Sequence, residues 1–322
     1  MKIFVTGASG AIGSVVMREL VKTGHDVTGL VHRKAKAHIV EEAGASVVIG
    51  NLLEDAPWKE AVREAELVIS CTQPVRFGES ISFTEANRRS FYHGKMAGNI
   101  FLAAQGSRVK SVALTYGVQG FGNKGDQMVN ETMELSPVGY ERSITGAYWH
   151  IDKTSRKAKM PLINIFTGWV YGPEGWLEPI VRGMRSGAFR MVGAGDNYMS
   201  LIHIDDLAAA YAKVAEKMPL GERICMVDDN PLQQKEFFGL LARELGCKPP
   251  ASTDMESYRK LSGDLAAETM TASVRVSNAK MKKFLLPELK YPTCSTGLPD
   301  VIRRMDAMRA TDEVELPKVS GF

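Results

Sequence analysis

The stretch Lys2–Gly13, KIFVTGASGAIG, joins a short apolar run directly to three glycines spaced three residues apart. The run Ile3–Val5 is β-branched and aromatic, which favours a buried strand. From Ala11 to Lys22 the apolar residues recur at helical spacing. The stretch therefore predicts a strand, a glycine-rich turn and a helix in immediate succession.

The three glycines meet the separate requirements of a phosphate-binding turn. Gly7 permits a tight bend, Gly10 lets backbone N–H groups approach a pyrophosphate, and Gly13 lets the helix pack closely on the strand. The helix N-terminus adds unpaired donors and the positive end of the helix dipole. A glycine triplet alone also occurs at ordinary strand–helix turns, but the strand before it and the helix after it favour a dinucleotide site. The residues expected to contact the dinucleotide here are Gly7, Ser9, Gly10, Ala11, Ile12 and Gly13.

Composition and charge are those of an ordinary globular protein. Of the 322 residues, 44% are hydrophobic and 24% charged, and the net charge of +3 comes without a long basic block. We therefore expect no nucleic-acid or membrane partner. A strand that begins at residue 2 leaves no room for a signal peptide, and no apolar run approaches the ~20 residues of a membrane span. Cys71, Cys225, Cys247 and Cys294 lack metal-type spacing and suit a reducing compartment, so a cytoplasmic protein is predicted.

Strand and helix patterns alternate along the first half of the chain. Strands are expected at 26–31, 45–49, 67–70, 109–115 and 162–166, and helices at 35–43, 57–64, 83–105 and 148–158. Repeated βα units predict an α/β fold with a doubly wound parallel sheet, a Rossmann fold, whose ligands bind beyond the carboxyl ends of the strands.

The alternation loosens after residue 170, which predicts a smaller C-terminal substrate lobe. The expected domains are an NAD(P)-binding Rossmann domain at 1–170, a substrate-binding lobe at 171–310 and a polar tail at 311–322. The polar segment 125–146 shows little periodicity and is expected to form either a flap over the substrate or a passive surface loop.

The residues at the end of the second strand determine whether the protein prefers NAD(H) or NADP(H). A carboxylate there would bind the adenosine ribose hydroxyls, whereas a basic residue accommodates a 2′-phosphate. This chain has His32, Arg33 and Lys34, with no carboxylate before Glu41. Arg33, helped by His32 or Lys34, is placed to bind a phosphate, which favours NADP(H) over NAD(H). The alternative is a solvated basic helix start.

Four short motifs, each present once, stand at characteristic places along the chain. They are TGASGAIG after the first strand, Val170–Pro173 (VYGP) after the sixth, His203–Leu207 (HIDDL) at the start of a later helix and Val276–Lys280 (VSNAK) near the end. Together they resemble the extended short-chain dehydrogenase/reductase superfamily, and within it the NAD-dependent epimerase/dehydratase-like group, over about residues 1–305.

That resemblance implies a Rossmann domain, a C-terminal substrate lobe and chemistry by a Ser/Thr–Tyr–Lys set beside a nicotinamide. It also implies a homodimer formed through a four-helix interface that includes the helix at 83–105. Further cofactor contacts that it implies lie after the third, fourth and sixth strands, at Asn51, Leu52, Cys71, Thr72, Gly168 and Val170.

The family's tyrosine and lysine stand four residues apart on one helix, which brings them onto one face. Lys153 is the matching lysine here, but the residue four before it is Trp149, and Tyr148 is five before. Either an irregular helix start brings Tyr148 round as the proton donor, or another group such as His150 takes that role. Lys153 would also bind the nicotinamide ribose.

The hydroxyl position is altered too. Thr115 keeps a hydroxyl at the end of the fifth strand and is expected to bond the substrate oxygen, whereas the usual catalytic hydroxyl position is Gly117. Tyr116 is then unusual, and either points into the site or packs against the following loop.

Several departures from the family point to the substrate. Phe166-Thr167 replaces the Arg-Pro of sugar-nucleotide enzymes. Another basic residue could substitute for that arginine, and the candidates are Arg182, Arg185 and Arg190. The aromatic residues that suggest a pocket for an aromatic or apolar molecule, unless core packing explains them, are Trp149, Trp169, Trp176 and Tyr198.

The HIDDL motif is interpreted as a helix start. Asp205 or Asp206 is expected to cap the helix, and no metal site is expected.

The sequence as a whole predicts an NADP(H)-dependent oxidoreductase that moves a hydride to or from a carbonyl or alcohol carbon of a small organic molecule. Two alternatives stay open. One is an epimerase or dehydratase that recycles its cofactor within each turnover, and the other is a non-catalytic dinucleotide-binding protein with a degenerate Tyr/Lys site.

Overall fold

Fifteen strands and thirteen helices make up residues 1–315, the part of the chain that the computed structural model describes, with side chains described to residue 310. The strands are β1 (Lys2–Thr6), β2 (Asp26–Val31), β3 (Ser46–Ile49), β4 (Leu67–Ser70), β5 (Ser111–Gly117), β6 (Met128–Val129), β7 (Leu162–Thr167), β8 (Trp169–Tyr171), β9 (Arg190–Val192), β10 (Tyr198–Met199), β11 (Leu201–His203), β12 (Arg223–Met226), β13 (Leu232–Gln233), β14 (Ala251–Thr253) and β15 (Arg275–Val276). The helices are α1 (Ala11–Lys22), α2 (Ala37–Glu41), α3 (Trp58–Glu64), α4 (Phe83–Ala104), α5 (Glu141–Ile144), α6 (Tyr148–Lys157), α7 (Leu177–Arg185), α8 (Ile204–Lys217), α9 (Gln234–Glu244), α10 (Met255–Ser262), α11 (Asp264–Thr271), α12 (Ala279–Phe284) and α13 (Cys294–Glu315). Short 3₁₀ turns lie at Lys34–Lys36, Val118–Phe121 and Thr145–Ala147.

A seven-stranded parallel sheet forms the centre of the molecule, in the order β12-β7-β5-β4-β1-β2-β3. Strand β1 lies between β2 and β4, with Ile3 opposite both Val27 and Leu67. The strand order therefore reverses between β1 and β4, where ligands of doubly wound sheets bind. This architecture confirms the predicted α/β fold.

The alternation of side chains along each strand divides the core into two layers. Phe4 and Leu114 face one layer, which packs against α3, α4 and α6, whereas Ile3 and Val5 face the other layer, which packs against α1 and α8. Both layers are covered by helices, so the central strands are apolar on both faces.

The sheet uses residues beyond the expected boundary at 170. Its edge strand is β12, which pairs with β7 in register from Arg223 opposite Asn164, and α8 packs against α1. A third apolar cluster, formed entirely by residues after 170, lies around α7, α9 and α13, and small two-stranded sheets also lie in this half of the chain. Helix α13 runs to Glu315, into the expected polar tail, and residues 316–322 of that tail lie outside the described part of the chain.

Segment 125–146 is not a flap. Strand β6 pairs with β15, and α5 packs against α4 and β5. The side chains of Tyr140, Glu141 and Ile144 are all more than nine-tenths buried. The absence of a periodic pattern in this segment reflects short elements held by tertiary contacts. None of the described helices combines the length and the apolar character that crossing a bilayer requires.

Candidate active site

A groove of about 1070 Å³ lies beyond the carboxyl ends of β1, β4, β5 and β7. It begins at the residues that follow β2 and extends past the glycine-rich turn to the aromatic residues that follow β7. This volume is at the upper end of the ~300–1,000 Å³ common for small-molecule sites. The groove occupies the place where a doubly wound sheet binds its ligand.

The glycine-rich turn fits a pyrophosphate. Gly7 has a φ of +68°, and a Cβ atom there would lie 2.9 Å from the carbonyl carbon of Cys71. A Cβ atom on Gly13 would overlap the main-chain oxygen of Gly7. Gly10 caps α1 without any side-chain hydrogen bond, so the first amides of the helix stay available to a ligand. All six residues expected from the sequence line the groove, namely Gly7, Ser9, Gly10, Ala11, Ile12 and Gly13.

A chain of hydroxyl groups runs from Thr72, which lines the groove, to the buried Thr6 and Ser70. The Thr72 hydroxyl donates to that of Thr6 at 2.8 Å, and the Thr6 and Ser70 hydroxyls are 3.0 Å apart. Cys71 also lines the groove, but burial raises the pKa of its thiol to about 12. Its thiol therefore stays neutral and is a poor nucleophile.

Basic side chains collect at the end of the groove beyond β2. His32, Arg33, Lys36 and Arg18 line it there, and Lys34 does not. Within the described part of the chain, neither Arg33 nor Lys36 forms an ion pair. Two unpaired cations beside the glycine-rich turn, the exposed Arg33 and the half-buried Lys36, suit a phosphate group.

Two other sets of expected cofactor contacts differ in their placement. Gly168 and Val170 line the groove. Asn51 and Leu52 do not, because the Asn51 side chain bonds the Leu53 amide and Glu54, and Leu52 is 4% exposed. A role for Asn51 and Leu52 at the adenine edge stays a prediction.

The structure does not bring the expected catalytic set to this groove. The Tyr148 oxygen accepts a 2.9 Å hydrogen bond from Arg223 Nε and faces a separate cavity of about 490 Å³, together with Trp149. Lys153 is exposed and lines neither cavity. This corrects the expectation that an irregular helix start turns Tyr148 towards the cofactor. Helix α6 begins at Tyr148, and the Tyr148 side chain lines the separate cavity and not the groove.

The other residues expected at the catalytic site, His150, Thr115 and Tyr116, do not line the groove either. His150 is exposed and packs beside Gly94 of α4. The Thr115 hydroxyl is buried 2.5 Å from that of Tyr211, outside the groove. Tyr116 is fully buried and stacks on Phe166, which favours the packing interpretation.

Tyr140, Glu141 and Ile144 line the groove instead. Tyr140 and Ile144 have the family's spacing of four, with isoleucine in place of lysine. Sequence reasoning missed them because it began from a lysine. Between β5 and β7 the tyrosine requirement alone leaves both Tyr140 and Tyr148, and no sequence pattern separates the two.

The two polar groups of this new set differ in their chemistry. The Tyr140 hydroxyl donates a 2.8 Å hydrogen bond to the main-chain oxygen of Glu79, and burial raises its pKa to about 12. Burial also raises the pKa of the Glu141 carboxyl, to about 7, despite hydrogen bonds from the Gly117 amide and from Thr145. The group that titrates near neutral pH is therefore the carboxyl and not the phenol.

Aromatic rings form the wall at the other end of the groove. The Phe77 ring lies 5.9 Å from Trp169 and 6.2 Å from both Trp176 and Tyr140, and the two tryptophans are 4.8 Å apart. The other expected aromatic residues, Trp149 and Tyr198, lie outside the groove, as do Arg182, Arg185 and Arg190. The arginine that lines this end is Arg76, which is exposed.

Among the described residues, no group of three or more His, Cys, Asp or Glu side chains is arranged so that it could hold a metal ion. Asp206 instead accepts hydrogen bonds from the amides of Lys290 and Tyr291, and His203 caps α8 through its Nδ1. The cap expected from Asp205 or Asp206 is therefore supplied by His203.

Sequence comparison defines the class of protein. The model of the NAD dependent epimerase/dehydratase family matches residues 3–225, and the chain belongs to this family. A relative from Dictyostelium discoideum, a sterol-4-alpha-carboxylate 3-dehydrogenase (decarboxylating), is 23% identical over 244 residues, which are 73% of this chain and 74% of the relative. The family and its relatives include oxidoreductases and dehydratases.

Solved structures show the same fold. Human epimerase family protein SDR39U1 with NADPH has a TM-score of 0.76 at 15% identity, covering 94% of this chain and 99% of that one. UDP-glucuronic acid 4-epimerase from Bacillus cereus, with UDP-glucuronic acid and NAD, has a TM-score of 0.79 at 15% identity, covering 96% and 100%. The groove described above thus belongs to a fold that holds nicotinamide dinucleotides in these neighbours.

Proposed function

We propose that this protein is an NADP(H)-dependent oxidoreductase that transfers a hydride to or from a carbonyl or alcohol carbon of a small aromatic or apolar molecule. One observation carries the proposal: a single groove combines a pyrophosphate-binding turn, a cationic end and an aromatic end. When bound, the nicotinamide supplies or accepts the hydride. The protein's own residues bind and orient the cofactor and the substrate, and they exclude water.

The cationic end of the groove supports the proposal that the cofactor is NADP(H) and not NAD(H). Arg33 is the second residue after β2, in the region where an NAD-binding chain carries a carboxylate. Its guanidinium has no ion-pair partner in residues 1–310 and lines the groove. Lys36 takes the supporting role that the sequence suggested for Lys34, because Lys36 lines the groove and Lys34 does not.

The aromatic end of the groove supports the proposal that the substrate is an aromatic or apolar molecule. Phe77, Trp169 and Trp176 present ring faces and edges to a planar or apolar molecule. The Trp176 indole is fixed by a 2.7 Å hydrogen bond to the Val170 main-chain oxygen, so the wall is preorganised. The Dictyostelium relative is named for a sterol carboxylate, whose ring system is apolar.

Oxidation of NADPH by purified protein tests this proposal. Cofactor absorbance and chromatography of the product are followed with 2-naphthaldehyde and 1-indanone as probes, beside cyclohexanone as a non-aromatic probe. We expect NADPH consumption equal to alcohol formed, fastest with the aromatic probes. An epimerase or dehydratase that recycles its cofactor would change the substrate without net NADPH loss.

One observation favours a second candidate, a dinucleotide-binding protein without turnover. The residue four after the groove's Tyr140 is Ile144 and not a lysine, and Gly117 stands at the position of the family's hydroxyl residue. Tight NADPH binding with no oxidation of the cofactor and no change in any probe would contradict the oxidoreductase proposal and favour this candidate.

A further inference from the structure

We propose that Glu141 is the group that exchanges a proton with the substrate oxygen in this groove, in place of a tyrosine. The inference rests on the proposed oxidoreductase function. It names the residue that performs the second half of that reaction.

The geometry of the groove gives Glu141 the place of the missing hydroxyl. A Cβ atom built on Gly117 would lie 2.5 Å from Oε1 of Glu141 and 2.9 Å from its Cδ. Any side chain at 117 would therefore collide with the carboxyl. Glycine at this position lets the carboxyl occupy the space that a serine or threonine side chain would fill.

A second glycine fixes the same segment. A Cβ atom on Gly120 would lie 2.7 Å from Cγ2 of Thr145. Thr145 in turn donates a hydrogen bond to Oε2 of Glu141. Gly117, at the end of β5, and Gly120, in the turn after it, thus leave room for one carboxyl and for the hydroxyl that orients it.

The other polar groups of the groove wall near Glu141 form hydrogen bonds within the protein, as Glu141 itself does. Tyr140 donates to the Glu79 main-chain oxygen, and the Gln119 amide donates to the Thr269 main-chain oxygen at 2.6 Å. Thr72 donates to Thr6. Glu141 is 6% exposed and lines the groove, and its two carboxyl oxygens have lone pairs beyond those that accept from Thr145 and the Gly117 amide. Its protonated form is favoured because no charged side chain contributes to its pKa, which burial raises.

The titratable groups packed around Glu141 leave it as the one that changes charge near neutrality. His93 of α4 bonds the Ile144 main-chain oxygen, and burial lowers its pKa. Burial raises the pKa of Tyr116 of β5 and of Tyr140. Arg142, beside Glu141 in the sequence, pairs instead with Glu268 of α11 at 2.9 Å.

The reaction balances with these groups alone and the proposed cofactor. A bound dihydronicotinamide would supply the hydride for the new C–H bond at the carbonyl carbon, and the C=O electron pair would move to oxygen. The Glu141 O–H bond breaks and its proton forms the alcohol O–H. The carboxylate then takes a proton from water, and the reverse sequence oxidises an alcohol.

The test compares wild type with Glu141→Gln, using NADPH and 2-naphthaldehyde. Since general acid catalysis contributes about 10²–10⁴-fold, we expect Glu141→Gln to slow single-turnover hydride transfer by at least about 100-fold. NADPH affinity should change by less than about threefold, because the cofactor contacts are elsewhere. The wild-type rate of reduction should fall as pH rises through about 7, and the variant's residual rate should lack that limb.

Infrared difference spectra of the protein without substrate give a readout independent of turnover. Between acidic and alkaline pH the wild type should lose a protonated carboxyl band that Glu141→Gln lacks. Glu268→Gln is the matched control, because Glu268 bonds the Gly139 amide and Arg142 in the same segment but does not line the groove. It should keep the band and the wild-type pH profile.

The outcomes separate the two proposals. Wild-type turnover with Glu141→Gln within about threefold of it would overturn the role of Glu141 and leave the oxidoreductase function standing. No turnover by wild type would overturn both. If Glu141→Gln fails to fold, Glu141→Asp should keep the carboxyl band and the alkaline limb at a reduced rate, and a pH-independent rate in that variant would overturn the inference.

Discussion

The Tyr140 hydroxyl donates its hydrogen bond to the main-chain oxygen of Glu79, at 2.8 Å, although the ring lines the groove. A proton donor to the substrate has to release this bond first. With Ile144 four residues on, no lysine lowers the phenol pKa, and burial raises it to about 12. Tyr140 is therefore a wall residue in this protein, in contrast to the tyrosine that the family resemblance implies.

Tyr140→Phe should consequently keep hydride transfer from NADPH to 2-naphthaldehyde within about tenfold of wild type. The lost hydrogen bond should lower the free energy of unfolding by about 0.5–1.5 kcal/mol. Single-turnover kinetics and urea denaturation measure the two effects. A loss of about 100-fold or more in a folded variant would return the proton-donor role to the tyrosine.

Gly13→Ala tests the glycine-rich turn. Its Cβ atom would overlap the Gly7 main-chain oxygen, so the helix must move away from the strand. We expect a loss of about 1–3 kcal/mol in the free energy of unfolding and a large loss of NADPH affinity.

Gly239→Ala is the matched control for that variant. Gly239 lies within α9, and nothing lies within 4 Å of a Cβ atom there. This substitution should stabilise the protein by about 0.5–1 kcal/mol and leave NADPH binding unchanged. Equal effects of the two substitutions would contradict the close helix–strand packing at the turn.

The pH dependence of stability reports on Glu141. Its pKa rises from the usual 4.5 to about 7 in the folded protein. Between these values the folded state binds more protons than the unfolded state, so the contribution to the free energy of unfolding is lost as pH rises through about 7. Wild type should therefore lose more stability between about pH 5 and pH 8 than Glu141→Gln does.

Denaturation of both proteins across that pH range makes the measurement. Burial also raises the pKa of Asp228, to about 8. That carboxyl is present in both proteins, so the difference between them isolates Glu141. Parallel stability curves would show that the Glu141 carboxyl titrates at its ordinary pKa.

We propose that the protein forms a homodimer through α4 and α6. Phe91 and Leu102 on α4 are 69% and 63% exposed, and Trp149 on the adjacent α6 is 58% exposed. Phe91 and Leu102 are eleven residues apart, about three helical turns, and so share a face. Exposed apolar side chains on neighbouring helices favour association with a second copy.

Phe91→Glu should convert that dimer to a monomer in light scattering. Leu261→Glu, at an 83% exposed leucine of α10, should leave the dimer intact. A monomeric wild type, or dissociation by both substitutions alike, would contradict the proposed interface.

The nucleotide half of the groove could be predicted because its determinants are local. Gly7, Gly10 and Gly13 follow one strand and begin one helix, and the fold requires each of them within a few residues. Arg33 is likewise fixed by its position two residues after the end of β2. Short-range pattern and the βα alternation are sufficient for these features.

The proton-exchanging half could not be predicted, because it depends on packing between distant segments. Glu141 reaches the groove only because Gly117 and Gly120 leave room for it and Thr145. No periodic pattern marks that segment, whose longest helix is the four residues of α5. Lys153 matched the expected residue type, yet its helix points it to solvent.

Isothermal titration of NADPH and NADH into wild type, Arg33→Ala and Lys34→Ala tests the central claim most directly. Wild type should bind NADPH more tightly than NADH. Arg33→Ala should weaken NADPH about 10- to 100-fold, the effect of losing a charged hydrogen bond of about 1.5–3 kcal/mol, with little change for NADH. Lys34→Ala, one residue away but outside the groove, should bind as wild type does. Failure of wild type to bind either dinucleotide, or equal affinities that Arg33→Ala does not alter, would contradict the account.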